Sequence, residues 1–440
     1  MRLMASIRSK HLYFAAALLI LGTAGSALAG NLPSGRVKLA QNLPASTAPV
    51  PSMPVAADAK VSAIGNTTHL TFAMSEKVDV QAFVLANPDR VIVDLPEINF
   101  QTDPANGKAT ALPKGTLVHA FRFGLFAPGK SRIVIDLGGP AKILKAAVEE
   151  GAGDAPPRLA IDLAPTDKAS FRQAAAAALK ASLPPTEANA PPKPVESEKP
   201  VVVLDPGHGG PDGGANGVDG AVEKTIVFDF AEMLKHKLEA SGRYKVVMTR
   251  DRDVFVPLNE RVKIARDSGA KLFVSIHADT VSDAGNVTGA TVYTVSDRAS
   301  DREAERVAEQ ENAADAAAGV QTTEDQVGVN DILFDLTRRE TRTFSHVFSR
   351  TLVNYLEATA RMNKNPERSA GFVVLKAPDV PSVLLELGYL SNDRDVKCLT
   401  SPDWRDKTTD KVAAAIDTFF APKAAAQPER NAVAAGVGRD

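Results

Sequence analysis

The sequence is almost without cysteine. One, Cys398, occurs in 440 residues, so no disulfide can form within the chain, and packing or a metal must hold the fold even in an oxidising compartment. Charge bias is missing too. Lys and Arg number 51 against 53 Asp and Glu, with no block of like charge, which excludes the strongly basic surface that nucleic acid requires. Long hydrophobic runs are also absent: "LYFAAALLILG" falls short of the roughly 20 residues of a membrane span, and no later segment is long enough. What is present is ample apolar material, 44% of residues, in a length that suits two domains plus linkers.

The first 29 residues have the layout of a cleaved secretory signal. A basic start (Arg2, Arg8, Lys10) precedes the short apolar run, and "ALA" ends at Ala29. The competing reading, a buried N-terminal helix, does not explain the small-residue site. No cysteine follows the cut, so no lipid anchor is expected there, and the mature chain is expected to be exported. Residues 30–57, rich in Ala, Pro and Ser, read as a disordered leader.

Residues 58–165 read as a small all-β domain of short alternating runs broken by Gly, Pro and Asn. "RVIVDL", "RIVIDL" and "RLAIDL", beginning at Arg90, Arg132 and Arg158, repeat one pattern and suggest two packed sheets of related hairpins. His69 and His119 stand alone in apolar strands and read as packing residues, so this is a binding module and not a catalyst. Residues 166–199 form an Ala/Pro-rich linker, its short helix ended by prolines after Leu183, and 422–440 read as a frayed tail.

Residues 200–421 alternate strand and helix. "VVVLD", "YKVVMT", "KLFVSIH", "ATVYTV", "GFVVL" and "SVLLEL" read as strands. Helices are predicted after Val222 and at about 257–268, 340–361 and 403–420. The fold class is therefore α/β: a three-layer domain with a mixed or parallel sheet flanked by helices.

In open α/β sheets, ligand sites gather beyond the strand ends. His208 follows the first strand in "VVVLDPGHGG", Glu223 begins the next helix, and His277 ends "LFVSIH". Two imidazoles and one carboxylate with an open fourth position make a catalytic zinc set. Each alone has a plainer reading: a capping charge for Glu223, a core histidine for His277, a tight turn around His208. Glu386 ends the apolar run "SVLLE", where an unpaired carboxylate would be costly, so a cation or a salt bridge is expected beside it. Asp205 is a candidate to orient an imidazole from behind, or else a turn-stabilising carboxylate.

The ordered set "DPGHGG…EK…SIHAD…LLELGYLSN" resembles the zinc-dependent N-acetylmuramoyl-L-alanine amidases that cut peptidoglycan during cell separation. The "NPDRVIVDLP" stretch and its echoes are similar to the AMIN domain of periplasmic members, a looser match on shorter motifs. The resemblance implies one Zn²⁺ held by His208, Glu223 and His277, with Glu386 as the catalytic carboxylate. The bond cut would be the amide joining N-acetylmuramic acid to L-alanine. It further implies a periplasmic location and septal peptidoglycan binding by the β domain. Asp279 stands where family members often carry Asn.

The stretch "SDRASDREAERVAEQENAADAAAG" favours helix, yet its one large aliphatic residue is Val307. It reads either as a solvated surface helix or, by the resemblance, as part of a regulatory insertion at about 297–343. Such an insertion covers the site and lends it a glutamate, Glu311 first and Glu309 second, until a partner with a LytM-type domain releases it. The alternatives to the enzyme are a non-catalytic peptidoglycan-binding scaffold and a zinc peptidase of stem peptides.

Overall fold

The computed structural model describes residues 53–421, apart from 152, 154, 183–198, 218–219, 281–286 and 321–331. The expected signal, most of the leader, the proline-rich part of the linker, the middle of the insertion and the tail lie outside the described residues.

Nine strands build the N-terminal module: β1 (Val55–Ile64), β2 (Thr67–Met74), β3 (Gln81–Leu85), β4 (Arg90–Pro96), β5 (Asn99–Phe100), β6 (Val118–Ala127), β7 (Lys130–Leu137), β8 (Ala141–Glu149) and β9 (Arg158–Pro165). They form two sheets, in the orders β5-β1-β2-β9-β8 and β3-β4-β7-β6. Period-two patterning is plainest in β2, where Thr68, Leu70, Phe72 and Met74 are buried and the residues between them half-buried. The three motif copies become β4, β7 and β9, and each sends two aliphatics inward: Val91 and Val93, Ile133 and Ile135, Leu159 and Ile161. β4 and β7 pair antiparallel, with Arg90 opposite Asp136 and Asp94 opposite Arg132.

Three details differ from the sequence reading. β1 begins at Val55, inside the segment read as leader. Helix α1 (Lys168–Ser182) is not loose linker, because Phe171 and Ala175, four apart on one face, are buried in the sandwich core. His69 is no packing residue: its Nδ1 lies 2.6 Å from Asp162 Oδ1 at the half-exposed surface, while His119 is exposed.

The second unit of chain follows as β10 (Val201–Pro206), α2 (Glu223–Ala240), β11 (Lys245–Met248), α3 (Leu258–Asp267), β12 (Leu272–His277), β13 (Ala290–Val295), α4 (Arg302–Asn312), α5 (Ala314–Ala317), α6 (Ile332–Leu356), β14 (Met362–Ala370), β15 (Ser382–Glu386), α7 (Asp393–Leu399) and α8 (Pro402–Phe420). The sheet order is β11-β10-β12-β15-β13-β14, parallel except for the β13–β15 pair. Successive residues of β10 serve opposite cores: Val202 and Leu204 meet α2, α6 and α8, whereas Val201 and Val203 meet α3 and α4. Burial on both faces explains why these strands read as continuous apolar runs. Among the described residues, no helix is long and apolar enough to cross a membrane.

"GFVVL" is not a strand. Val373–Leu375 form a single 3₁₀ turn, and the strand is the preceding, polar β14. β14 is an edge strand and tolerates polar side chains. Phe372, Val374 and Leu375 instead bury in the core beside α3. A short apolar run marks burial, not conformation.

Phe171→Ala should destabilise the β module by about 3–5 kcal/mol, as other buried Phe truncations do, read as a lower denaturation midpoint. A helix free in solution would lose almost nothing.

Candidate active site

Parallel pairing puts the chemistry at one sheet edge. Pro206 is in register with Ile276, and His277 with Glu386, so three neighbouring strands deliver their last residues side by side. Beyond β10 the chain turns sharply, with His208 itself at φ 59°, a left-handed conformation unusual for a side-chain-bearing residue. The glycines here make room for protein. A Cβ on Gly207 would lie 2.4 Å from His277 Cε1, and one on Gly214 would lie 2.6 Å from both Glu223 Oε2 and His208 Cδ2.

The imidazoles of His208 and His277 are 5.0 Å apart, centroid to centroid. Glu223, fully buried at the start of α2, places Oε1 3.2 Å from His208 Nε2 and 3.3 Å from His277 Nδ1. The same carboxylate accepts the Ala215 and Ala278 N–H groups, each at 2.8 Å, which fixes its plane. Glu386 is also fully buried and accepts the Asp279 N–H at 3.1 Å.

The insertion reaches the same point. α4 buries Ala304, Val307, Ala308 and Glu311, a stripe at helical spacing in which alanines stand in for large aliphatics. Glu311 Oε2 lies 2.8 Å from His277 Nδ1 and 3.7 Å from His208 Nε2. Glu309, two residues earlier, is exposed. Gln310 donates to Asp279 Oδ1, and Asn312 exchanges hydrogen bonds with Gly371 O (3.1 Å) and Val373 N (2.8 Å).

Asp205 does not touch an imidazole. It accepts from Thr249 Oγ1 (2.6 Å), Ser275 Oγ (2.6 Å) and Arg261 Nη1 (2.8 Å), and Arg261 in turn donates to the carbonyls of Pro206 (2.9 Å) and His208 (2.8 Å). Asp205 therefore braces the backbone of the loop, and the orienting contact is made by Asp212, whose Oδ2 lies 2.8 Å from His208 Nδ1. That contact keeps a proton on Nδ1 and turns Nε2 toward Glu223 and Glu311, leaving Nε2 as the nitrogen that can bind a cation. Sequence reasoning missed both Asp212 and Arg261. The signals were an acid four residues after the histidine, and an arginine between Leu258 and Ala265 on the buried face of α3.

Electrostatics mark this as a site for a cation. Burial works against a charged imidazole. The carboxylates of Glu223, Asp212 and Glu311 overcome it at His208, holding its pKa well above the usual value, and His277 is pushed up to about 10 by Glu311 and Glu223 against the same burial. Glu386 is pushed up to about 8, by burial first and then by Glu223 and Glu311 against the pull of His277. Asp279 is raised too, by burial and then by Glu311, Glu223 and Glu386. His208 Nε2, His277 Nδ1, Glu311 Oε1, Glu386 Oε1 and Asp279 Oδ2 are buried with no hydrogen-bond partner among the described residues. Each such orphan costs about 1–3 kcal/mol, a penalty that a shared cation removes. Ligand atoms of His208, His277 and Glu311 lie within 4.8 Å of one another, and an N/O donor set of this kind suits zinc.

Asp212→Ala should cut divalent-ion affinity about 10–100-fold, as loss of an imidazole's outer partner does, read by competition with a chromophoric chelator. An unchanged affinity would mean that Asp212 only shapes the turn.

A family model described as N-acetylmuramoyl-L-alanine amidase matches residues 202–418, and the AMIN domain matches residues 58–167. The chain is 32% identical over 364 residues to the N-acetylmuramoyl-L-alanine amidase AmiC of Escherichia coli O6:H1, covering 80% of this chain and 87% of that one. Against AmiC of Neisseria meningitidis serogroup B it is 32% identical over 365 residues, with the same coverage of 80% and 87%. The solved amidase AmiC2 of Nostoc punctiforme aligns at 26% identity and a TM-score of 0.36, covering 51% of this chain and 98% of that one. With both domain types in order and the match to each AmiC covering 80% of this chain and 87% of that one, the chain belongs to the AMIN-type N-acetylmuramoyl-L-alanine amidases, enzymes that hydrolyse peptidoglycan.

Proposed function

We propose that this amidase uses one zinc ion held by His208, Glu223 and His277, with Glu386 as its proton-transfer carboxylate, and that it rests in a closed state with Glu311 at the remaining ligand position. The observation that carries the reading is the convergence of two partnerless ring nitrogens on Glu223, with the carboxylate of Glu311 2.8 Å from one of them. Zinc, when bound, supplies Lewis acidity, making water acidic near neutral pH and polarising an amide carbonyl.

The chain's own residues supply the rest. Asp212 holds the His208 imidazole in one tautomer and one orientation, with Nε2 turned toward Glu223 and the metal position. Glu386, buried beside His277, takes a proton from water and then gives it to the leaving amine of L-alanine. Glu311 on α4 excludes substrate and water, because a buried carboxylate at the ligand position occupies the space both need. Export to the periplasm, a septum-directed role for residues 58–165, release of α4 by a LytM-type activator and action in daughter-cell separation complete the reading. The proposed boundaries are 55–182 for the β module with its α1, and 200–421 for the catalytic domain, with the insertion at about 297–343.

Glu311→Ala should raise basal release of labelled peptidoglycan by on the order of tenfold or more, through a shift of the closed–open equilibrium. Adding Glu386→Ala to it should cost about 10²–10⁴-fold. The products should be intact stem peptides with a free L-alanine amine. Equal basal rates for wild type and Glu311→Ala would remove the capping role, and full activity after Glu386→Ala would remove the base.

Ion uptake should also release protons. His277, pushed up to about 10, is charged at pH 7.5, and His208 is held well above its usual value by its carboxylate neighbours, yet ligand imidazoles must be neutral. Protons should therefore leave as Zn²⁺ binds at pH 7.5, read by calorimetry in buffers of different ionisation enthalpy; no release would count against these ligands.

A further inference from the structure

The repeated Arg–aliphatic–Asp motif of the β module has a use that strand packing does not explain. In β4 and β7 its inner aliphatics fill the sandwich core, and its arginines stand on the opposite, outward face. That face is not solvent-exposed. Ile92 and Val134, which point outward between Val91/Val93 and Ile133/Ile135, are fully buried.

The cover is the segment that follows Glu311. Arg90 Nη1 donates to Ala316 O, Arg122 Nε to Ala317 O at 2.6 Å, and Arg132 Nη1 to Gly319 O at 2.9 Å and Ala318 O at 3.4 Å. Three strands of one sheet thus donate to four consecutive carbonyls at and just beyond the C-terminal end of α5, where a helix leaves carbonyls short of partners; Ala316 O also accepts the Gly319 N–H. Cross-strand acids hold the guanidinium groups in place: Asp94 binds Arg132 through two bonds of 2.6 and 2.9 Å, and Asp136 lies 2.5 Å from Arg122. Gly319, at φ 73°, fits so closely that a Cβ there would lie 2.5 Å from Ile92 Cδ1. The third motif copy is the internal control. Arg158 in β9, on the other sheet, is solvent-exposed, and its side chain meets only the half-buried Glu149 among the described residues.

The same module also grips the loop that carries His208 and the β11–α3 loop beside it. Phe255 N donates to Leu125 O at 3.1 Å, Phe126 stacks on Phe255 at 6.0 Å, and Gly124 packs directly against Gly210. The β module therefore holds the two sides of the site in fixed relation, the histidine loop and the helix that closes over it.

We propose that the outward face of the β3-β4-β7-β6 sheet is a docking surface for the α4–α5 segment, so that the β module is a lock on the closed active site as well as a wall-binding domain. This rests on the reading of Glu311 as the capping ligand. In the closed state the lock adds charge-assisted hydrogen bonds five to eight residues beyond Glu311, and opening must break them.

The test uses the full chain without activator. Arg90→Ala/Arg122→Ala removes two of the three donors, and Gly319→Val disturbs the contact from the insertion side, leaving the module's own packing intact. Both are compared with wild type and Glu311→Ala in hydrogen exchange of residues 302–312 and in basal peptidoglycan release, with melting curves as the folding control. Both lock variants should lose amide protection in α4 and gain basal release on the order of tenfold, the effect of losing a charge-assisted hydrogen bond from one side of a two-state equilibrium. Should the arginine variant unfold, Gly319→Val decides alone. Wild-type protection of α4 in a folded lock variant, alongside an active Glu311→Ala protein, overturns the lock and leaves the cap standing. An inactive but folded Glu311→Ala protein overturns both.

Discussion

Two imidazole nitrogens, kept dry and aimed at the same point with nothing to donate to them, are the constraint around which the catalytic half of this protein is arranged. Water cannot satisfy His208 Nε2 or His277 Nδ1, and no described protein group does so by a hydrogen bond. Such an arrangement is stable only if positive charge enters among the carboxylates. Many otherwise unrelated features serve it. β10 and β12 must be adjacent and parallel, so that the residues following them meet. Gly207 must lack a side chain, because the His277 ring takes that space. Arg261, buried and tied to Asp205, must hold the carbonyls of the loop, since a loop free to relax would let the nitrogens find other partners.

The closing helix follows from the same constraint. A segment with one large aliphatic residue would not ordinarily bury a face. α4 does so because its alanines allow close approach and its carboxylate lies 2.8 Å from His277 Nδ1. At its N-terminus Asp301 caps the helix and Arg368 joins Asp301 and Glu303, each at 3.0 Å. Polar and charged contacts thus replace apolar area as the source of order. Contacts of that kind can be exchanged for others in a partner or in water, as the proposed opening of α4 requires.

In the β module, one six-residue pattern serves two purposes. Its aliphatics build the core wherever it occurs. Its arginine becomes structural only where the strand's outer face is covered, as in β4 and β7, and stays at the surface in β9, where the motif's aspartate pairs with His69. A helical addition, α1, completes that core, which is why the boundary between domain and linker falls later in the chain than composition suggests.

Much of this was legible in one dimension. Alternation in β2, the buried runs of β10, β12 and β15, and the four-residue spacing of Ile226, Phe230 and Leu234 follow from which faces must leave water, and periodicity records that directly. His208, Glu223, His277 and Glu386 stood out because polar residues at the ends of apolar runs need a reason. What the sequence could not determine was pairing across distance. That Asp212, and not Asp205, meets His208, that "GFVVL" turns instead of extending, and that α5 ends against three arginines from another domain all depend on contacts between residues far apart in the chain. Local pattern records how each segment partitions between water and core. Only the closed fold decides which buried charge stands opposite which, because that depends on strand order and register.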